Sequence, residues 1–240
     1  MSTIRLGVLT PSSNTALEPL TCEIVRSLPG VSVHCSRFKV TEIGLGAGAL
    51  GQFDEGPIMA AAQLLADAKV DVIGWSGTSA GWLGFDRDER LCERIRSQAG
   101  VPATTAVLAL NELLRIRQVR TLALVTPYTQ DVQQRIVENY RAIGVTVVAE
   151  RHLGIRDNHS FAAVAPERLR ELIDEVAAER PEAITTFCTN LRAATLAARV
   201  EAETHIPLLD TVSTTVWGMA RMAGRSPAAI TGWGELFQWT

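Results

Sequence analysis

Val70-Asp71-Val72-Ile73-Gly74-Trp75-Ser76-Gly77-Thr78-Ser79 is a short apolar run that ends in small polar residues. Its length and its β-branched content predict a strand buried on both faces, as in a parallel sheet. A matching stretch, Ala183-Ile184-Thr185-Thr186-Phe187-Cys188-Thr189-Asn190, recurs in the second half. Each is preceded, at similar spacing, by another apolar strand signal that also ends in small polar residues. These are Leu6–Leu9, continuing into Thr10-Pro11-Ser12-Ser13-Asn14, and Thr121–Val125, continuing into Thr126-Pro127-Tyr128-Thr129-Gln130. The chain therefore reads as two related halves. Their strand ends face one shared cleft, and the halves differ most where Gly77 stands in one and Cys188 in the other.

Outward from these runs, strand and helix signals alternate. Strands are expected at Ile4–Leu9, Val31–Val40, Val70–Trp75, Pro102–Thr105, Thr121–Val125, Thr146–Leu153, Ala183–Phe187 and Ile206–Leu209. Helices are expected at Glu18–Ser27, Pro57–Ala68, Arg87–Gln98, Ala106–Ile116, Thr129–Ile143, Pro166–Glu179, Leu191–Thr204 and Val212–Ala223. Pro166 falls at an early helical position that tolerates proline, and Gly144 suits a helix end. Alternation of this kind means βαβ units, and ligands then bind beyond the carboxyl ends of the strands. The expected fold is α/β: two similar Rossmann-like, flavodoxin-like parallel-sheet lobes with pseudo-two-fold symmetry and the active site between them. Residues 1–100 with 212–240 form the expected N-terminal lobe, and 101–211 the C-terminal lobe. The tail from Ile230 to Phe237 is expected to cover the interface between the lobes.

Of the 240 residues, 47% are apolar and the formal charge is −3. A core can form without disulfides or metal. No basic run points to nucleic acid, and no apolar run reaches membrane length. The N-terminus enters a strand at once, which does not suggest a signal peptide. The four cysteines are scattered without zinc spacing, which suits free thiols in the cytoplasm. The four histidines share no metal or triad spacing, and Gly44-Leu45-Gly46-Ala47-Gly48 lacks the lysine of a phosphate loop.

Cys188 sits between a strand end and an expected helix N-terminus, where the dipole favours thiolate. A buried structural cysteine is the alternative. Thr78, Ser79 and Tyr128 are hydroxyls at strand ends that either hold a carboxylate and an oxyanion or cap helices. Asn14 either donates to a carboxylate or closes an Asx-turn after Pro11-Ser12-Ser13. Asp210 and Glu18 are further carboxylates with no evident partner. Cys22, Cys35 and Cys92 read as structural.

The segments Trp75–Ser79, Thr126–Tyr128, His152–Ile155, Phe187–Cys188 and Gly232–Phe237 stand in an order that resembles the aspartate/glutamate racemase superfamily. Within it, the chain resembles the arylmalonate decarboxylase and maleate isomerase branch over nearly its whole length. Racemases of that superfamily use two cysteines on opposite faces of the substrate carbon, and maleate isomerases look similar. The decarboxylases, like this chain, have glycine at the first position and cysteine at the second. The resemblance implies cofactor-independent loss of one carboxylate from a substituted malonate. The other carboxylate becomes an enediolate held by Thr78, Ser79, Tyr128 and the Thr189 backbone N–H, and Cys188 protonates the carbon. No metal is implied, and the partner is a small carboxylate.

The chain differs from the decarboxylases in carrying Thr189 and Asn190 where they have two glycines. It also carries Lys39 near an apolar segment of theirs. The loop of Pro11, Ser12 and Asn14 is more similar to that of the maleate isomerases. Racemisation needs an acid and a base on opposite faces, and Gly77 removes one of them; decarboxylation needs only one proton donor. The reading is a decarboxylase. A maleate isomerase or related isomerase is the alternative, and a non-catalytic carboxylate-binding protein the third possibility. The sequence leaves the oligomeric state open.

Overall fold

A computed structural model describes residues 3–239. The first half contains β1 (Ile4–Pro11), α1 (Leu17–Ile24), β2 (Val31–Phe38), α2 (Ala47–Gly51), α3 (Glu55–Asp67) and β3 (Val72–Trp75). It continues through α4 (Ala80–Leu83), α5 (Phe85–Ala99), β4 (Ala103–Thr105) and α6 (Ala106–Ile116). The second half contains β5 (Thr121–Thr126), α7 (Gln130–Ala142), β6 (Thr146–His152), α8 (Pro166–Ala177) and β7 (Ala183–Thr186). It ends with α9 (Ala197–Thr204), β8 (Leu208–Asp210) and α10 (Thr211–Met222).

These strands build two all-parallel sheets, in the orders β2-β1-β3-β4 and β6-β5-β7-β8. The two orders correspond strand for strand, so the pseudo-two-fold relation expected from the repeated motif is present. β3 and β7 are buried at every position, as expected for central strands covered by helices on both faces. β4 pairs with β3 through Ile73, Gly74 and Trp75. The first sheet therefore extends through Thr105.

Local chemistry sets several helix ends. The Thr105 hydroxyl accepts from the Leu108 N–H at 3.0 Å and caps α6. Pro166 opens α8, and Gly144 takes a φ of 83° just after α7, a conformation glycine adopts without penalty. α10 is buried from Thr211 to Ala220 and packs on α1, α6, β3 and β8. The tail lies against α9 and α10. The Glu235 N–H donates to Glu201 of α9 at 2.8 Å, and Trp217 of α10 donates to the Trp239 carbonyl at 3.1 Å.

The segment after Cys188 departs from expectation. Instead of a helix from Leu191, it forms turns and a short 3-10 segment, and α9 begins only at Ala197. Cys188 therefore does not sit at a helix N-terminus. Among the described residues, no helix is long and apolar enough to cross a membrane.

Candidate active site

The register of the two sheets relates Gly77 and Cys188. Leu9 of β1 pairs with Trp75, and Val125 of β5 pairs with Thr186. Beyond those pairs, the Ser76 N–H donates to the Leu9 carbonyl at 3.2 Å and the Phe187 N–H to the Val125 carbonyl at 2.9 Å. Gly77 and Cys188 each follow one residue later, at equivalent points of the two halves.

Cys188 is buried. Its Sγ accepts from the Asn190 N–H at 3.4 Å and hydrogen-bonds the Tyr128 hydroxyl. The Tyr128 hydroxyl in turn meets Thr78 Oγ1 at 2.6 Å. Thr78, Tyr128 and Cys188 thus form one hydrogen-bonded chain that crosses from the first half to the second. Trp82 and Phe161 hold the Tyr128 ring edge-on, with ring centres 5.2 and 5.7 Å away. Burial pushes the Cys188 thiol up to about 12, against the downward pull of Tyr128 and the Asn190 N–H. Burial also raises the Tyr128 hydroxyl well above its ordinary value. Both groups are therefore protonated at neutral pH. The helix dipole expected to favour a thiolate does not reach Cys188, because α9 starts only at Ala197, and desolvation favours the neutral thiol.

The first loop has a scaffolding role as well. The Val40 N–H donates to Ser12 Oγ at 3.2 Å, which ties that hydroxyl to the end of β2. The Pro11 carbonyl accepts from the Asn14 N–H at 3.0 Å. Asn14 closes the expected Asx-turn. Its Oδ1 accepts from the Ala16 and Leu17 N–H groups, both at 3.0 Å, while its Nδ2 points at Thr189 Oγ1, 3.3 Å away. Ser79 precedes α4 and lines a small cavity together with Trp75 and Asp88.

Thr189 and Asn190 join the two halves. Thr189 Oγ1 donates to the Ser76 carbonyl at 3.0 Å. Asn190 Oδ1 accepts from the Thr15 and Ala16 N–H groups at 3.0 and 3.2 Å, and its amide nitrogen bonds the Asn158 carbonyl. Their bulk is spent on inter-half contacts.

Both unassigned carboxylates have partners. Glu18 takes a two-point bond from Arg37, at 3.0 and 2.7 Å. Asp210 caps α10 through the Val212 N–H and accepts from Thr186 Oγ1 at 2.8 Å. Lys39 and Arg192 are exposed, and Arg192 donates to the Ala162 carbonyl.

Sequence reasoning missed Arg37, Asn158 and Trp75. Arg37 Nη1 donates to the Ser12 and Asn14 carbonyls at 2.9 and 3.0 Å, and Asn158 donates to Ser13 Oγ at 2.7 Å. Only tertiary structure brings these groups to the loop. Trp75 closes the strand run from Val70, and nothing in its sequence context marks it out from a core residue. Its indole lies where a side chain on Gly77 would grow: an added Cβ would stand 2.1 Å from Cζ2.

Two matching parallel sheets that meet at a strand-end thiol define the class of aspartate/glutamate-racemase-like proteins. The family model described as arylmalonate decarboxylase matches residues 36–237, and the chain belongs to that family. A maleate isomerase of Pseudomonas putida is 27% identical, over 93% of each chain. An arylmalonate decarboxylase of Bordetella bronchiseptica is 28% identical, over 69% of this chain and 70% of its own. The crystal structure of a Pseudomonas putida maleate isomerase with maleate superposes with a TM-score of 0.91 at 25% identity, covering 100% of this chain and 99% of that one. These relatives are maleate isomerases and an arylmalonate decarboxylase.

Proposed function

We propose that this protein is a cofactor-independent carboxy-lyase acting on a substituted malonate, with Cys188 as the proton donor. The observation that carries this reading is a buried thiol in a hydrogen-bonded chain with Tyr128 and Thr78, with glycine at the equivalent position of the other half.

Cleavage of the carbon–carbon bond releases carbon dioxide and leaves the bonding electrons in an enediolate. The hydroxyls of Thr78, Ser79 and Tyr128 and the Thr189 N–H stabilise its oxygens in a site from which water is largely excluded. The Sγ–H proton then passes to the carbon. The resulting thiolate keeps its bonds from Tyr128 and the Asn190 N–H, and water returns its proton. A neutral thiol suits this step, because it must give a proton and not an electron pair.

Maleate-type isomerisation is the second reading. Asn14 favours it, since its Nδ2 is directed at Thr189 in the cleft and can donate to a carboxylate. Addition of sulfur to a double bond requires thiolate, which burial of Cys188 opposes. A carboxylate-binding protein without turnover is the third reading.

Proton NMR in D2O with phenylmalonate and with maleate separates the lyase from the isomerase. The expected result is loss of carbon dioxide from phenylmalonate, one deuterium delivered to a single face, and no turnover by Cys188→Ala. Fumarate from maleate establishes the isomerase instead. Phenylmalonate turnover that survives Cys188→Ala overturns the proton-donor role.

A further inference from the structure

We propose that Trp75 is the specificity-determining residue that makes the site one-sided. Its indole fills the volume in which a side chain equivalent to Cys188 would stand, and it walls the cleft on the face opposite that thiol. The proposal rests on the reading of Cys188 as proton carrier and adds the reason why only one face receives a proton.

The geometry is direct. A Cβ on Gly77 would lie 2.1, 2.4 and 2.5 Å from Cζ2, Cε2 and Cη2 of Trp75. Carbon atoms in contact prefer about 3.5–4.0 Å. The indole is held in place: it is 2% exposed, and Phe38 packs against it with ring centres 5.0 Å apart. The other half shows the contrast. Its residue equivalent to Trp75 is Thr186, a small side chain whose hydroxyl turns away to Asp210 at 2.8 Å. That leaves space for the Cys188 side chain. By the pseudo-two-fold relation of the sheets, a side chain at 77 would approach the cleft from the opposite face. Indole carbons there offer neither an acid nor a base, so the carbon of a planar intermediate receives its proton from the Cys188 side alone.

Gly77 is therefore as much a consequence of Trp75 as a missing thiol. Restoring a thiol by Gly77→Cys alone gives a side chain with no room. Shortening position 75 at the same time opens the second face.

A double-mutant cycle tests this. Gly77→Ala is made in the natural chain and in the Trp75→Phe and Trp75→Leu backgrounds. Trp75→Phe keeps an aromatic ring against Phe38 if Trp75→Leu does not fold. In the natural chain, Gly77→Ala lowers Tm by roughly 3 °C or more. In the shortened backgrounds, at least half of that loss disappears. An equal loss in every background overturns the proposal.

Gly77→Cys is then compared with Trp75→Leu/Gly77→Cys and Trp75→Phe/Gly77→Cys, using single-enantiomer 2-phenylpropionate in D2O as the probe. The better double variant racemises the probe at least tenfold faster than Gly77→Cys. Double variants no faster than the single one also overturn the proposal. Failure of the proton-carrier reading appears separately, as phenylmalonate turnover that survives Cys188→Ala.

Discussion

The hydroxyl oxygens of Thr78 and Tyr128 meet at 2.6 Å across the boundary between the two sheets, and the Tyr128 hydroxyl reaches on to Cys188. Tyr128→Phe removes that link and keeps the ring contacts with Trp82 and Phe161. The expected result is a fall in phenylmalonate turnover of about 10²-fold or more. The lost hydrogen bonds cost about 1–3 kcal/mol of stability. Steady-state kinetics with a urea titration check both. Turnover equal to that of the natural chain means the hydroxyl is structural only.

Arg37 holds the first loop from outside. It donates to the Ser12 and Asn14 carbonyls and meets Glu18 at two points. Loss of its side chain frees the loop that positions Asn14. Arg37→Ala is expected to raise KM several-fold with a smaller change in kcat. Arg37→Lys should recover little of this, because an ammonium cannot reproduce the two-point contact. Full recovery with lysine shows that charge alone suffices.

The thiol supplies a pH test. Burial raises Cys188 to about 12, so its thiolate fraction at pH 8 is smaller than that of an ordinary cysteine. Iodoacetamide should alkylate Cys188 slowly at pH 8 and faster by about tenfold per unit as the pH rises. Decarboxylation should show no alkaline decline from Cys188 below about pH 10, because the proton donor stays loaded. Peptide mass spectrometry and a pH–rate profile read these directly. Fast alkylation at pH 7 contradicts the protonated thiol.

Asp88 predicts how stability varies with pH. It is buried, its Oδ2 has no hydrogen-bond partner among the described residues, and burial raises it to about 7. The unfolded chain releases this proton near the ordinary value of 3.8. The folded state therefore binds more protons between those values, and stability falls as pH rises from about 4 to 7, by at most about 1.4 kcal/mol per unit. Asp210, raised to about 6 by burial, acts in the same direction. Asp88→Asn should flatten the slope, most clearly between pH 6 and 7. Urea midpoints from pH 4.5 to 8 measure it, and parallel curves for the two proteins refute the assignment.

The repeated strand-end motifs determined much of this protein on their own. Apolar runs such as Val72–Trp75 and Ala183–Thr186 need two covered faces, so a parallel sheet flanked by helices follows from local composition. The repeat of those runs makes two sheets, and strand ends in such sheets carry ligands. That reasoning sufficed to bring Thr78, Tyr128, Asn14 and Cys188 into one cleft. Tertiary structure alone decided the rest. The protonation of Cys188 depends on how deeply the thiol is buried, and no short window encodes burial depth. The helix expected from Leu191 gave way to turns that let Asn190 reach Thr15 and Ala16 in the other half. The place of the Trp75 indole over Gly77 is set by side-chain packing against Phe38, which arrives from a neighbouring region of the fold. Sequence spacing fixed which residues share the cleft; close packing fixed which of its faces is open.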